Sequence, residues 1–380
     1  MPKKYDYIIA GAGLSGLSLA YRMRKSASHQ NASLLLLDKD TKERNDRTWC
    51  FWSKKEDLFD EINYKVWPKI QFADSEINQT YNIDPYKYKM IRGIDFYKHV
   101  LSFLNTCDKT DFVSSGIENI EETASEVIIT TSNETYSAPW VFKSYYDNLD
   151  FSKSNFVWQH FKGWIIKSEL PVFDKDKAIF MDFRVPQDDE TRFFYVLPFN
   201  ENEALVEIAV FSEAIPKPSF YDPFLKEYIK EKLEINTYEI VEEELGAIPM
   251  TDYNFNKIKS NKVIHIGTSG GQVKGSSGYA FYRIQEEMDR LMGYINQNKL
   301  ADYKRPINRY HFYDRIFLNA ILTGKTNGAK VFGKLFKKLS PQTIFKFLDE
   351  KGSFFNDLIV FTAPPTWPFT KAFFQELFKR

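Results

Sequence analysis

The sequence predicts an α/β fold. A Rossmann-type dinucleotide-binding domain is interrupted by an antiparallel-sheet substrate domain and followed by a helical C-terminal region. Three observations predict it. The N-terminal stretch Tyr5 to Met23 reads as strand, glycine turn and helix. Residues 156–250 hold four strand-like segments joined by proline- and asparagine-rich linkers. A second glycine-rich turn, Gly267 to Tyr279, follows another apolar strand and opens a helical pattern.

In the first stretch, Tyr7-Ile8-Ile9-Ala10 is a short apolar strand, and Leu17, Leu19, Ala20 and Met23 recur at helical spacing. Between them lies Gly11-Ala12-Gly13-Leu14-Ser15-Gly16. Gly11 permits the tight turn, Gly13 lets a pyrophosphate approach the backbone, and Gly16 lets helix and strand pack closely. The helix N-terminus adds free N–H groups and the positive end of its dipole. A second strand, Leu34 to Leu37, ends in Asp38, where a carboxylate meets a ribose. One fingerprint, near the N-terminus of a 380-residue chain, favours a tightly held FAD over a diffusible nicotinamide by fold analogy.

Composition narrows the function classes. Lysine plus arginine and aspartate plus glutamate balance at 51 each, so the chain carries no nucleic-acid signature. Thirty-four Phe and 22 Tyr suit a large apolar ligand as well as an ordinary core. Cys50 and Cys107 are isolated, which implies a reducing, cytoplasmic compartment without a structural disulfide. The opening MPKKYDY runs straight into the first strand and reads as lacking a signal peptide. No long apolar run spans a membrane. The five histidines lack metal-ligand spacing, so no metal site is expected, and His99 and His265 read as packing residues.

The remaining elements follow in order. KDTKERNDRTWCFW, after Leu37-Asp38, reads as a polar loop. From it Arg47, or Arg44, could reach cofactor phosphates, or the charges could simply be solvated. Trp49, Phe51 and Trp52 in that loop would cover a ligand. Strand-like pieces lie near Lys69 to Phe72 and Gln79 to Ile83, and Arg92 precedes a helix over Asp95 to Leu104. In flavin-monooxygenase-like chains an arginine there reaches the FAD pyrophosphate. Short strands follow at Phe112 to Ser114, Glu126 to Thr131 and Trp140 to Phe142. The inserted sheet comprises Val157 to Ser168, Ala178 to Val185, Arg192 to Leu197 and Ala204 to Phe211. A helix over Asp222 to Leu233 and a return strand ending at Met250 complete it. Lys262 to Gly267 then rejoins the parallel sheet, and Gly267, Gly270 and Gly271 offer backbone N–H groups to the cofactor before a helix over Ala280 to Asn296. These elements divide the chain into 1–155 (with 62–90 contributing to the substrate sheet), 156–250, 251–300 and the helical 301–380. In the last part Lys330, Lys334, Lys337, Lys338 and Lys346 alternate with apolar residues. That pattern suits either a membrane-surface helix or a helix packed on its own domain.

One residue carries the chemical expectation. In Ala204 to Phe211, alternation puts Leu205, Glu207, Ala209 and Phe211 on one face and Val206, Ile208 and Val210 on the other. Glu207 is the single carboxylate between two apolar faces. Burial there would keep it protonated near neutrality and able to donate a proton, whereas at a sheet edge it would simply face water. Asp182, in Phe180 to Phe183, is a similar case, and Glu244 lies in an acidic run just before Gly246.

These residues carry a family resemblance. GAGLSGLSLA, NDRTWCFW, FMDF, RFFYVLPF with ALVEIAVFSE, EELGAIPM and GTSGGQVKGSSGYAF together resemble the bacterial lycopene cyclases, chiefly the β-cyclase type. The resemblance runs to about Asn296. It implies a flavoprotein of the aromatic-hydroxylase and geranylgeranyl-reductase fold group. It also implies FAD that must be reduced, with NAD(P)H as reductant, and conversion of lycopene through γ- to β-carotene without net redox change. The family's essential glutamate maps to Glu207, a second acidic position to Glu244, and the MD pair to Asp182. Hydroxylases of the fold group carry Gly-Asp after the last sheet strand, and this chain has Gly267-Thr268. An acyclic carotene substrate implies a peripheral position on the inner face of the cell membrane. The rival readings are a flavin-dependent hydroxylase or prenyl-chain reductase, and a carotenoid- or flavin-binding protein without catalysis.

Overall fold

The computed structural model describes residues 1–145, 149–323 and 326–378. In chain order the strands are β1 (Lys3–Lys4), β2 (Tyr7–Ala10), β3 (Leu34–Asp38), β4 (Thr48–Ser53), β5 (Lys65–Trp67), β6 (Lys69–Ala73), β7 (Asn78–Asn82) and β8 (Lys87–Arg92). Then come β9 (Thr110–Ser114), β10 (Ile117–Glu122), β11 (Val127–Thr131), β12 (Thr135–Ala138), β13 (Trp140–Lys143), β14 (Phe156–Ser168), β15 (Lys177–Asp182), β16 (Thr191–Pro198), β17 (Glu203–Ser212), β18 (Tyr238–Thr251) and β19 (Val263–His265). The helices are α1 (Leu14–Lys25), α2 (Gly93–Leu104), α3 (Asp222–Glu231), α4 (Phe281–Asn296), α5 (Arg309–Leu322), α6 (Gly328–Lys338), α7 (Pro341–Leu348), α8 (Phe354–Phe361) and α9 (Thr366–Phe378).

A parallel sheet in the order β19-β13-β2-β3-β9 forms the nucleotide-binding half. Its strands are apolar on both sides because both are covered. One side packs on α1, α2 and α4 through Leu17, Leu36, Phe96, Phe142 and Met288. The other packs on the meander β10–β12 through Ile8, Leu35, Ile129 and Tyr136. The second half is a seven-stranded sheet in the order β18-β14-β17-β16-β15-β6-β7. Its outer face is closed by α3, where Tyr228 stacks on Phe194 with centroids 3.9 Å apart. Its inner face meets a small sheet, β4-β8-β5, and the helices α5 to α8.

The inserted sheet and the parallel core follow the sequence pattern closely. The clearest departure is β4. The expected polar loop contains a strand, paired antiparallel with β8 from Thr48 opposite Arg92 to Ser53 opposite Lys87. It lies between two cores, so both its faces are apolar. Phe51 stacks on Phe281 of α4, and Trp52 stacks on Phe345 of α7. A strand buried on both faces shows no polar alternation, and its start was masked by the charged run ahead of it. β18 is also longer than expected, because its acidic first half is an exposed sheet edge. The lysine-bearing α6 and α7 turn Val331, Phe332, Leu335, Phe336, Ile344 and Phe345 inward onto the sheet. Their amphipathic pattern is therefore used by the chain's own core.

Asp182 lies at the end of β15, opposite Phe194. It is fully buried on the outer face, away from the inner face of the sheet. Its carboxylate accepts two bonds from the Arg184 guanidinium, at 2.9 and 2.6 Å, and one from the Tyr228 hydroxyl at 2.7 Å. The expectation that Asp182 acts chemically meets a carboxylate whose acceptors are engaged in fixing α3 to the sheet. Removing one member of a buried ion pair leaves the other uncompensated. Asp182→Asn is therefore expected to lose about 3 kcal/mol in urea unfolding, and any loss of activity should follow the loss of folded protein.

Candidate active site

The glycine turn takes the shape its sequence requires. Gly11 has φ +103°, in the region open to glycine. A side-chain carbon on Gly16 would lie 2.1 Å from the Gly11 carbonyl oxygen, so helix and strand touch there. A side-chain carbon on Gly13 meets nothing within 4 Å. No side chain caps the N-terminus of α1. Asp38 accepts the Ala12 N–H at 2.7 Å and lies 3.1 Å from the Lys42 ammonium. Open space, uncapped helix donors and a carboxylate at the strand end suit a dinucleotide, and Leu14 opens α1 as a buried backbone position. The second glycine turn packs against the first, since a side-chain carbon on Gly267 would lie 2.3 Å from Ser15 Oγ.

Other sequence-chosen residues are differently disposed. The N–H groups of Gly267, Gly270 and Gly271 have partners inside their own segment, namely Gln272 Oε1 and the carbonyls of Ile266 and Thr268. That turn is built as a short 3-10 segment before α4 opens at Phe281. It shapes the wall more than it presents donors. Arg92 is held by Asp95 through two bonds, at 2.7 and 3.0 Å, and lies 3.9 Å from the Tyr64 ring centroid. The Arg47 carbonyl accepts the Gly93 N–H, and its half-exposed guanidinium is the positive charge bearing on Glu244.

Glu207 and Glu244 come together through sheet register. Tyr195 of β16 is opposite Glu207 of β17, Glu207 is opposite Gly163 of β14, and Gly163 is opposite Glu244 of β18. Residues directly opposite share a face, so the four form one row on the inner face. The glycine between the two acids leaves room for them. A side-chain carbon on Gly163 would lie 2.7 Å from the Leu205 side chain and 3.4 Å from Glu207 Oε2.

The two carboxyls have different environments. Burial lifts Glu207 well above the ordinary carboxylate range, with the Glu244 charge adding to it. Glu207 in turn helps to raise Cys50, Tyr195 and Tyr279. Glu244 is raised to about 7, again chiefly by burial. The Thr48 hydroxyl, which donates to Glu244 Oε2, and the Arg47 charge oppose that rise. Asn45 donates to the neighbouring Glu242 at 2.9 Å. Segment 45–48 thus ties the sheet acids to the start of α2 and to the nucleotide-binding half.

An aromatic wall, of which the sequence points only to Trp52 as a ligand cover, faces Glu207. The Tyr279 hydroxyl lies 3.2 Å from that of Tyr88 and 3.5 Å from that of Tyr195. Trp52 is 4.5 Å from the Tyr279 ring, and Phe180 stacks on it at 6.3 Å. Burial pushes the Cys50 thiol and all three phenols upward. These residues come from β4, β8, β15, β16 and the second glycine turn. Tyr195, two residues before Leu197 in the strand paired to Glu207, and Trp52, in the aromatic run Trp49 to Trp52, carried local signals. The arrangement can hold one neutral acid against a dry, electron-rich wall. His265 is depressed to about 4 by burial, and no cluster of metal ligands occurs among the described residues.

A raised carboxyl keeps its proton in the folded state after the unfolded chain has lost it. Stability is then full below about pH 4.5 and falls as the pH rises towards the folded value near 7. Glu244→Gln removes that penalty. The variant should gain stability over wild type across this window, by up to about 3 kcal/mol at pH 8. Chemical unfolding of both proteins as a function of pH measures the difference, and a pH-independent difference would contradict the assignment.

Comparisons with known proteins bear on the family and the fold. A family model described as lycopene cyclase protein matches residues 6–373. A geranylgeranyl bacteriochlorophyll reductase-like protein from Thermoplasma acidophilum superposes with a TM-score of 0.61 at 13% identity, covering 99% of this chain and 96% of that one. A flavoprotein/dehydrogenase from Cytophaga hutchinsonii gives 0.61 at 12% identity over 100% of both chains. A flavin-dependent brominase gives 0.60 at 12% identity, again over 100% of both. At such identities these likenesses establish the fold, that of FAD-binding flavoproteins. No curated protein matches the sequence closely enough to count as a relative.

Proposed function

Because this chain belongs to the lycopene cyclase family, we propose that it is a lycopene β-cyclase, closing the ψ-ends of lycopene to β-rings through γ- to β-carotene. The observation that carries the reading is Glu207. Among the described residues it has no hydrogen-bond donor and no opposite charge beside it; burial raises its pKa, and it is set in an apolar sheet face opposite an aromatic wall. Such a group can protonate a hydrocarbon double bond, which a solvated carboxylic acid does poorly.

In the proposed reaction Glu207 gives its proton to the terminal double bond of a ψ-end. The next double bond supplies the electron pair that closes the ring on the resulting tertiary cation. Loss of a ring proton restores a double bond, so the product is an isomer of the substrate. Tyr88, Tyr195, Tyr279 and Trp52 exclude water and turn π-electron density towards the cation. Glu244, near neutrality and held by Thr48, is placed to take up the proton that leaves. The turn Gly11 to Gly16, Asp38 and Arg47 would hold FAD, with the Gly267 turn as a wall. Reduced FAD, formed at the expense of NAD(P)H, would supply fixed negative charge near the cation.

The likeness to a geranylgeranyl reductase-like protein favours a second reading, a prenyl-chain reductase. That activity would consume one NAD(P)H per double bond reduced, whereas cyclisation consumes none. The reading places the protein on the cytoplasmic face of the membrane, where an acyclic carotene dissolves.

Two outcomes test the proposal. In a bacterial host that accumulates lycopene, the wild-type chain should shift the extracted pigment to γ- and β-carotene. Glu207→Gln should reduce that conversion at least about 100-fold while retaining its flavin. Unchanged lycopene beside a folded, flavin-loaded wild type would reject the cyclase. Separately, Gly13→Ala should fold normally, since its methyl enters open space, yet purify with its FAD content reduced about ten-fold or more. A full complement of flavin in that variant would move the pyrophosphate elsewhere.

A further inference from the structure

The last two helices are built inside out. In α8 the buried residues are Asp357 and Val360, and in α9 they are Ala372 and Glu376. Asp357 is 0% exposed and Glu376 is 2%. Phe355 and Trp367 are 76% and 74% exposed. Phe354, Leu358, Ile359 and Phe361 of α8 also face outward, as do Phe373, Phe374, Leu377 and Phe378 of α9. Ordinary surface helices show the opposite order. Apolar side chains exposed this densely along a helix mark a contact with another apolar phase.

Both helices are pinned by their buried acids. Asp357 accepts from Arg309 Nε at 2.7 Å and from the Tyr310 hydroxyl at 2.9 Å. Glu376 accepts from Asn155 at 2.9 Å, from Asn319 at 2.8 Å and from Arg315 at 2.7 Å. The aromatic faces are therefore held outward by a polar anchor and cannot turn in. The rim is cationic. Lys338 reaches the Thr362 carbonyl at the end of α8, Lys346 reaches Asn356 within α8, and Lys371 is exposed on α9.

We infer that α8 and α9 form a membrane-docking surface, in which the outward Phe, Trp, Leu and Ile side chains enter the interfacial region of an anionic bilayer and the flanking lysines meet its headgroups. Aromatic and aliphatic insertion beneath a basic rim is how interfacial helices bind. The cationic rim favours a lipid surface over a second copy of the chain, whose identical rim would repel it. Among the described residues no helix is long and apolar enough to cross a membrane. The surface itself is read from side-chain placement. Only its purpose, giving the site access to a membrane-dissolved substrate, rests on the proposed activity.

The test is flotation of the purified full chain with phosphatidylcholine–phosphatidylglycerol vesicles. Wild type should float, and less so at high salt. The triple variant Phe355→Ser, Trp367→Ser, Phe374→Ser should bind at least about ten-fold more weakly. Its melting temperature should be unchanged, because these side chains touch solvent. A wild type that stays with the dense fractions would overturn the proposal. So would a triple variant that floats like wild type, or a wild-type dimer in light scattering that the same substitutions abolish without any flotation. Lycopene delivered in detergent separates the two ideas. The triple variant should convert it at the wild-type rate, and flotation without conversion by wild type would reject the activity while leaving the surface in place.

Discussion

An unpaired carboxyl in the middle of an apolar sheet face is costly, and the substrate-side architecture is arranged around tolerating one. Glu207 escapes ionisation because its surroundings stabilise the neutral acid and because Glu244, two strands away, discourages a second negative charge. Gly163 makes the pair sterically possible. The outer face of the same sheet handles a carboxylate in the opposite way. Asp182 is 0% exposed and fully paired, and it serves packing. Two acids on neighbouring layers thus have separate uses, set by whether a cation stands beside them.

The site exists because two cores meet. β4 runs between them, with Phe51 turned to the nucleotide-binding helices and Trp52 to the C-terminal helices. Just before it, residues 45–48 connect the start of α2 with the acids of β18. Any shift of the start of α2 relative to the sheet would pull on segment 45–48 and so on Glu244. The C-terminal helices complete the inner wall with Phe336 and Phe345, and then present their last two members to the surroundings with the polarity reversed.

Much of this was legible locally. The turn from Gly11 to Gly16, the strand ending in Asp38, the hairpins of the inserted sheet and the alternation that isolates Glu207 are all short-range patterns. They depend on backbone sterics and on a two- or three-residue period. Where a segment is buried on both faces, as in β4, or pairs at an exposed edge, as in the first half of β18, the period carries no contrast and its extent is lost. The C-terminal phenylalanines show the same limit. Their composition is plain in the sequence, but which face the rest of the protein covers is not.

The sequence by itself determined the fold class, the dinucleotide-type turn and the single carboxylate of an apolar strand, because each follows from neighbours in the chain. Tertiary structure alone decided that Glu244 shares a row with Glu207, that Asp182 is spent on Arg184 and Tyr228, and that Tyr88, Tyr195 and Tyr279 close over the acid. Apart from the local Asp182–Arg184 pair, those facts depend on strand register and on contacts between residues about 40 to 190 positions apart. No local period encodes them, and burial, which sets the protonation of both glutamates, is a property of the assembled chain.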